Sequence, residues 1–206
     1  MQYHFITRDN EHLFQPELDQ FYRARHAVYA DELGWVSVAP DGREFDQFDT
    51  ADAAYLVVMD GEGFVAGSRL VPTNLPHLLS EVFPDSCDIA PMVRDASVVE
   101  WTRGFIVPAR RDKGSLRILA GACAAVMEYC LAKGYRQVGG IQDMKWISLW
   151  RKMGWSIHVH GQPIDIDGSP WLPIYFDVTQ EAMMNARALG RINGSLLVSL
   201  PDEQAA

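Results

Sequence analysis

Three groups of residues have types and spacings that could do chemistry. The first is an acidic run, Glu44, Asp46 and Asp49, interleaved with Phe45 and Phe48. Acids so placed can hold a cation such as an ammonium. As a metal site the run lacks a His or further ligands at suitable spacing. The second is Glu100 with Arg103, set in the apolar stretch 97–107. A charge inside a central strand is costly unless it is paired. By strand alternation Glu100 and Thr102 face one side, Trp101 and Arg103 the other. A local bulge is needed to bring Glu100 and Arg103 to one face, where Arg103 would hold the carboxylate. The third is Arg110, Arg111 and Lys113, just before Gly114 and Ser115. If a helix starts there, its free N–H groups and partial positive charge, joined by these side chains, predict a phosphate seat.

The elements that must carry these residues follow from periodicity. Residues 15–33 have apolar positions at Leu18, Phe21, Tyr22, Val28, Tyr29 and Leu33, which predicts one amphipathic helix ending at Gly34. Residues 36–52 read as a long loop of the kind that carries function. Strands are expected at 1–8, 54–59, 64–71, 97–107, 137–141, 155–160 and 171–178, with a hairpin turn at 60–63. Further helices are expected at 78–83, 114–133, 145–153 and 180–189, with residues 84–95 irregular. The helix at 114–133 closes at Gly134 and that at 145–153 at Gly154. Residues 201–206 are expected to be a frayed tail. The order predicts a single α/β domain over 1–206. It resembles the N-acetyltransferase (GNAT) architecture, a three-layer α-β-α fold. There a central mixed, mostly antiparallel sheet is splayed at a V-shaped cleft. A G-x-G phosphate loop of the usual type is missing; only Gly114 remains.

The 206 residues carry 27 acids against 18 Lys and Arg, a formal charge of −9. This argues against a nucleic-acid partner. Cys87, Cys123 and Cys130 form no paired framework, which suits a reduced, cytoplasmic protein. No apolar run is expected to approach the ~18 residues of a membrane span, and no signal peptide is expected. His26, His77, His158 and His160 show no ligand-like clustering and read as structural or exposed. Trp101, Met144, Trp146, Leu149 and Trp150 could line an apolar pocket or fill the core.

Taken together, the motifs resemble those of the acyl-homoserine-lactone synthases, the LuxI-type autoinducer synthases of bacterial quorum sensing. The resemblance rests on Arg25-x-x-x-Tyr29, Gly34-Trp35 and Glu44-x-Asp46-x-x-Asp49. It continues through Gly67-x-Arg69-Leu70-x-Pro72-Thr73, Phe83 and Glu100-x-x-Arg103. It covers roughly residues 20–108; the C-terminal half matches in outline. Tyr29 stands where Phe is usual and Trp101 where Leu is common, and Gly104 delays the next aromatic to Phe105.

The resemblance implies two substrates, S-adenosyl-methionine and an acyl thioester of coenzyme A or an acyl-carrier protein, with no tightly bound cofactor and no metal. The amine attacks the thioester, and the methionyl carboxylate then displaces 5′-methylthioadenosine to close the lactone. Glu100 is the expected base, with Arg103 and Asp46 beside it. Asp46 and Asp49 would place the ammonium, and Arg25 or Arg69 the carboxylate. Tyr29, Trp35 and Phe105 would face the sulfonium. Strand amides near 105–107 would stabilise the oxyanion. Phe83, Trp101, Met144, Trp146 and Leu149 would form an acyl pocket suited to a short, branched or aromatic group carried by coenzyme A. Arg110, Arg111 and Lys113 would meet the phosphopantetheine. The alternatives are another GNAT-fold acyltransferase acting on a different amine, and a non-catalytic acyl-carrier-binding module. Release of methylthioadenosine separates the first from a synthase.

Overall fold

The computed structural model describes residues 1–111 and 114–197. Lys113 and the expected tail at 201–206 therefore lie outside the described residues.

Helix α1, Gln15–His26, buries Leu18, Phe21, Tyr22 and Arg25, one stripe at helical spacing. The predicted helix does not run on regularly to Leu33. It widens into a π-helical turn, Ala27–Glu32, with Leu33 N–H reaching Val28 O at 3.0 Å. Gly34, at φ +66°, then ends it in a conformation glycine adopts without strain. Such turns are uncommon and collect at functional sites, because they re-aim the side chains that follow.

Strand β1, Gln2–Ile6, pairs antiparallel with β2, Ala54–Asp60, and β2 pairs with β3, Gly63–Pro72, through the expected hairpin. Strand β3 pairs with β4, Val98–Ile106. Between them lies the short helix α2, Leu78–Val82. Helix α3, Ser115–Lys133, crosses back to β5, Gln137–Asp143, which runs parallel to β4. A 3₁₀ turn at Met144–Trp146 leads into α4, Ile147–Lys152. Strands β6 (Ile157–Val159), β7 (Ile164–Ile166) and β8 (Ser169–Asp177) and helix α5 (Gln180–Gly190) complete the chain. The main sheet order is β1-β2-β3-β4-β5-β8-β6, with β7 paired to β8.

Strand β7 was not foreseen, although its signal is in the sequence. Asp167 and Gly168 have φ of +52° and +75° and join Ile166 to Ser169. Asp-Gly favours two-residue hairpins of this kind because both central residues need positive φ.

The sheet separates two helical layers. On one face α3 packs against α5, and both contribute to the main core with Val99, Trp101, Val138, Ile174 and Phe176. On the other, α1 covers Ile6, Tyr55, Val57 and Val71. Beside it Leu79 of α2 packs on Val98, Ile141 and Tyr175. Helix α3 corrects one expectation. Its 19 residues are long and apolar enough to cross a membrane by length and composition, with a mean hydropathy of 1.4 in its best window. It is largely buried, as the core helix of a folded domain is.

Two departures from regular pairing shape the middle of the sheet. Strands β4 and β5 pair only from Val98–Gln137 to Glu100–Gly139, and then diverge. Beyond Glu100, Gln142 Nε2 donates to Trp101 O at 3.1 Å. The second departure is a bulge. Arg69 pairs with Thr102 but Gly67 with Phe105, so Arg103 and Gly104 stand opposite Ser68 alone. Arg103 takes φ +52°, a left-handed conformation unusual for a non-glycine residue.

Candidate active site

Three arginines from three elements meet three acids from one loop. Arg25 comes from α1, Arg69 from β3 and Arg103 from the bulge in β4. Glu44, Asp46 and Asp49 come from residues 33–53, a segment tied under α1 by Glu44 N–H donating to Tyr22 O at 3.1 Å. Arg25 Nε donates to Glu44, and its two Nη groups donate to Asp49 Oδ1 and Oδ2 at 2.8 and 2.9 Å. Arg69 makes a second fork onto Asp46, and its Nε donates to Thr102 Oγ1 at 3.3 Å. Arg103 Nη2 lies 2.8 Å from Asp46 and 3.1 Å from Glu44. Tyr55 OH donates to Asp49 at 3.1 Å.

Three positive and three negative charges thus offset one another in a region that excludes water. Such a network is rigid, and removing one member strands a buried charge. Burial alone would raise the Asp49 carboxyl, but the hydrogen bonds and charge of Arg25, with Arg69, hold it at about 2. Burial opposes the charged form of Arg25 too, yet Asp49 and Glu44 raise its pKa above the usual arginine value.

Arg25 and Arg69 therefore differ from the expectation that one of them offers a free fork. Both side chains are fully buried and filled by protein carboxylates. Asp49 is closed off in the same way, and only Asp46 and Arg103, 17% and 12% exposed, form an accessible edge.

Glu100 is likewise not held by Arg103. The bulge does turn Arg103 to the α1 face, where it stacks on Tyr29 at 5.0 Å. Its partners there are Glu44 and Asp46. Glu100 instead accepts backbone N–H groups at the start of α2, from Leu78 at 2.9 Å and Leu79 at 2.6 Å. It is the last residue of β4 paired with β5, so it sits at the apex of the splay. Gly140 clears the space beside it: a Cβ there would lie 2.8 Å from Glu100 Cγ. Burial pushes the Glu100 carboxyl up to about 7, against the pull of the two N–H groups.

A cavity of about 460 Å³ opens where β4 and β5 part. It passes through the sheet. On the α1 side its walls are Tyr29, Glu32, Leu33, Thr102, Arg103 and Phe105; on the α3 side, Trp101, Trp146, Trp150, Ser115, Leu119 and Ala122. Tyr29 sits edge-on to Phe105 at 5.8 Å, and its hydroxyl donates to Gly104 O at 3.3 Å. Trp35 lies outside the walls at the rim, 5.8 Å from the Tyr29 ring and 5.7 Å, edge-on, from Trp171.

Other expected pocket residues go elsewhere. Phe83 packs on Leu79, Val98, Ile141 and Tyr175 rather than on the cavity. Met144 and Leu149 pack against the main core. Arg110 turns to the β2–β3 hairpin, 2.9 Å from Asp60 and 2.8 Å from Glu62. Arg111 lines the cavity and pairs with Glu32. Cys123 and Cys130 are buried, and burial raises both thiols. Trp171, Gln142 and Glu32 were not singled out from sequence. Among the described residues no group of His, Cys, Asp and Glu could hold a metal ion.

Comparisons with known proteins bear on the fold and the family. Residues 9–185 match the family described as autoinducer synthase. The chain is 34% identical over 181 residues to the isovaleryl-homoserine lactone synthase of Bradyrhizobium diazoefficiens, spanning 87% of this chain and 81% of that protein. Among solved structures it is similar to BjaI, a CoA-dependent acyl-homoserine lactone synthase with SAM and isopentyl-CoA. That match has 30% identity and a TM-score of 0.87, over 95% of this chain and 92% of the other. It is also similar to MesI, another CoA-dependent acyl-homoserine lactone synthase, with 32% identity and a TM-score of 0.86 over 96% and 99% of the two chains. The architecture is the GNAT-like one expected from the order of elements. With a family pattern across most of its length and a relative one-third identical over 87% of it, this chain belongs to the autoinducer synthase family, the acyl-homoserine-lactone synthases.

Proposed function

We propose that the chain joins a short or branched acyl group, delivered by coenzyme A, to the amine of S-adenosyl-methionine and closes the product as a homoserine lactone. The observation that carries this reading is the cavity through the sheet, charged and aromatic at one end and lined by indoles at the other. Trp146 and Trp101 lie 6.3 and 6.2 Å from Trp150, and these rings narrow the apolar end. A long flexible chain finds little room there, whereas a compact group fills it. Similarity to an isovaleryl-homoserine lactone synthase and to two CoA-dependent synthases supports the same choice.

In this reading the amine approaches from the α1 side. Its nitrogen forms a bond to the thioester carbon, and the C–S bond breaks to release the thiol. The amine proton passes through a water to Glu100, whose pKa of about 7 suits a base working near neutrality. Water is needed because both Glu100 oxygens are held inside, by Leu78 and Leu79. The oxyanion meets the gap edge of β4. Val107 N–H is taken by Val65 O at 3.0 Å, so by alternation Ile106 N–H points into the gap. Arg103 is the cation on the α1-side wall that receives the substrate carboxylate; Arg25 and Arg69 hold the acids that orient it. Tyr29, Phe105 and Trp35 face the sulfonium, each contact contributing about 0.5–2 kcal/mol. Lactone closure forms the ring C–O bond and breaks the C–S bond, leaving neutral methylthioadenosine.

Purified protein given S-adenosyl-methionine and a panel of acyl-CoA thioesters tests the reading. Lactone and methylthioadenosine should appear in equal amounts, fastest with short branched donors and slower with acyl-carrier-protein thioesters. An acylated amine formed without methylthioadenosine would sink it.

A further inference from the structure

Arg103, Arg111 and Lys145 are cations in the cavity wall. Each faces a carboxylate, but the three pairings are unequal. Arg103 is held by Glu44 and Asp46 at the edge of the acid–arginine network, where it serves the other substrate. Lys145 pairs with Asp143, which also caps the turn that follows by accepting Lys145 N–H at 2.9 Å. Arg111 pairs with Glu32 at 2.5 Å, and both side chains are more than one-third exposed. Glu32 ends the π-helical turn, and Arg111 is its one side-chain partner among the described residues. Arg111 keeps a second anchor, with its Nε donating to Ile106 O at 2.7 Å. The guanidinium is therefore fixed to the strand end independently of Glu32, while Glu32 is free to swing into solvent.

We propose that Glu32 is a stand-in for a phosphate of the acyl donor: it pairs with Arg111 and is displaced when the donor's anionic arm enters. The inference rests on the reading that a phosphate-bearing thioester uses this cavity. It makes Glu32 a determinant of donor affinity. A phosphate offers more acceptor oxygens and more charge than a carboxylate, so it wins the guanidinium while Glu32 returns to water. The exchange also lets the chain discriminate. A donor without phosphates cannot displace Glu32 and gains nothing from Arg111.

The test compares the full chain with its Glu32→Gln variant. Calorimetry should show free coenzyme A binding roughly two- to five-fold tighter to the variant, the range expected when a competing exposed ion pair is removed. The KM for acyl-CoA should fall by the same factor, while the KM for the matching acyl-pantetheine, which has no phosphate, stays where it was. In an Arg111→Gln background the Glu32→Gln change should have no effect. Coenzyme A binding that is unchanged or weaker in the variant overturns the proposal, as does an equal gain for acyl-pantetheine. If the wild-type chain makes no lactone from any donor, the synthase reading fails, and coenzyme A binding still decides the role of Glu32.

Discussion

Replacing Glu100 with Gln separates what the carboxylate does for stability from what it does for proton transfer. The folded state raises its pKa from 4.5 to about 7, so it binds that proton more tightly than the unfolded chain does. The stabilisation is complete below about 4.5 and is lost as pH rises through about 7. At about 1.4 kcal/mol per unit, the difference of roughly 2.5 units (7 minus 4.5) amounts to about 3–4 kcal/mol. Gln does not titrate. Its amide leaves one of the two N–H groups at Leu78 and Leu79 without an acceptor, which costs about 1–3 kcal/mol at any pH. Urea unfolding of both proteins from about pH 4 to pH 9 should therefore show the variant less stable in acid, with the two curves meeting or crossing as pH rises. A difference between them that stays constant within about 1 kcal/mol across that range refutes the buried-charge reasoning. Turnover should fall by roughly 10²–10⁴ above about pH 7, as expected for loss of a general base, and by less in acid, where the wild-type carboxyl is already protonated.

Asp49→Asn should lower stability by about 3–5 kcal/mol, since it strands part of the charge on Arg25 and Arg69; a thermal melt measures this. In the parent protein the Asp49 contribution is present above about 3.8 and is lost as pH falls through about 2, so acid unfolding should begin at higher pH in weakened variants of its partners. Trp101→Leu should shift the donor preference toward longer acyl groups in a competition assay read by mass, at a cost in stability of about 2 kcal/mol. Tyr29→Phe removes one hydrogen bond of 3.3 Å and should change the KM for S-adenosyl-methionine less than three-fold, whereas Tyr29→Ala loses the stack on Arg103 and should raise it more than ten-fold.

Much of the fold was legible because its elements announce themselves locally. The stripe from Leu18 to Arg25, the hairpin at 60–63 and the stop at Gly134 are set by residues close in sequence. The site was legible in membership more than in pairing. Glu100 and Arg103 are three apart and of opposite sign, yet each found its partner elsewhere, Glu100 in α2 and Arg103 in the loop before β2. Sequence spacing carries no information on which distant segment folds over a strand. Arg110 and Arg111 stand side by side, but one is neutralised by a hairpin and the other by the π turn. The split follows from backbone geometry at Pro108–Arg110, a 3₁₀ turn that apolar patterning does not reveal. The role of Gln142 across the gap depends on where two strands cease to pair, which is a tertiary property.

The extra residue at Arg103–Gly104 has one more effect. Before it, even-numbered side chains of β4 meet α1 and α2; after it, odd-numbered ones do, with Phe105 against Phe21 and Ile106 against the α3 core. The strand thus carries a parity inversion at its midpoint. Deleting a single residue there would restore regular pairing with β3 and leave Phe105 and Ile106 on the sides they now occupy, opposite Gly67 and Ala66, but it would abolish the turn that brings Arg103 to the α1 face. A repair of the ladder would be a mutilation of the site.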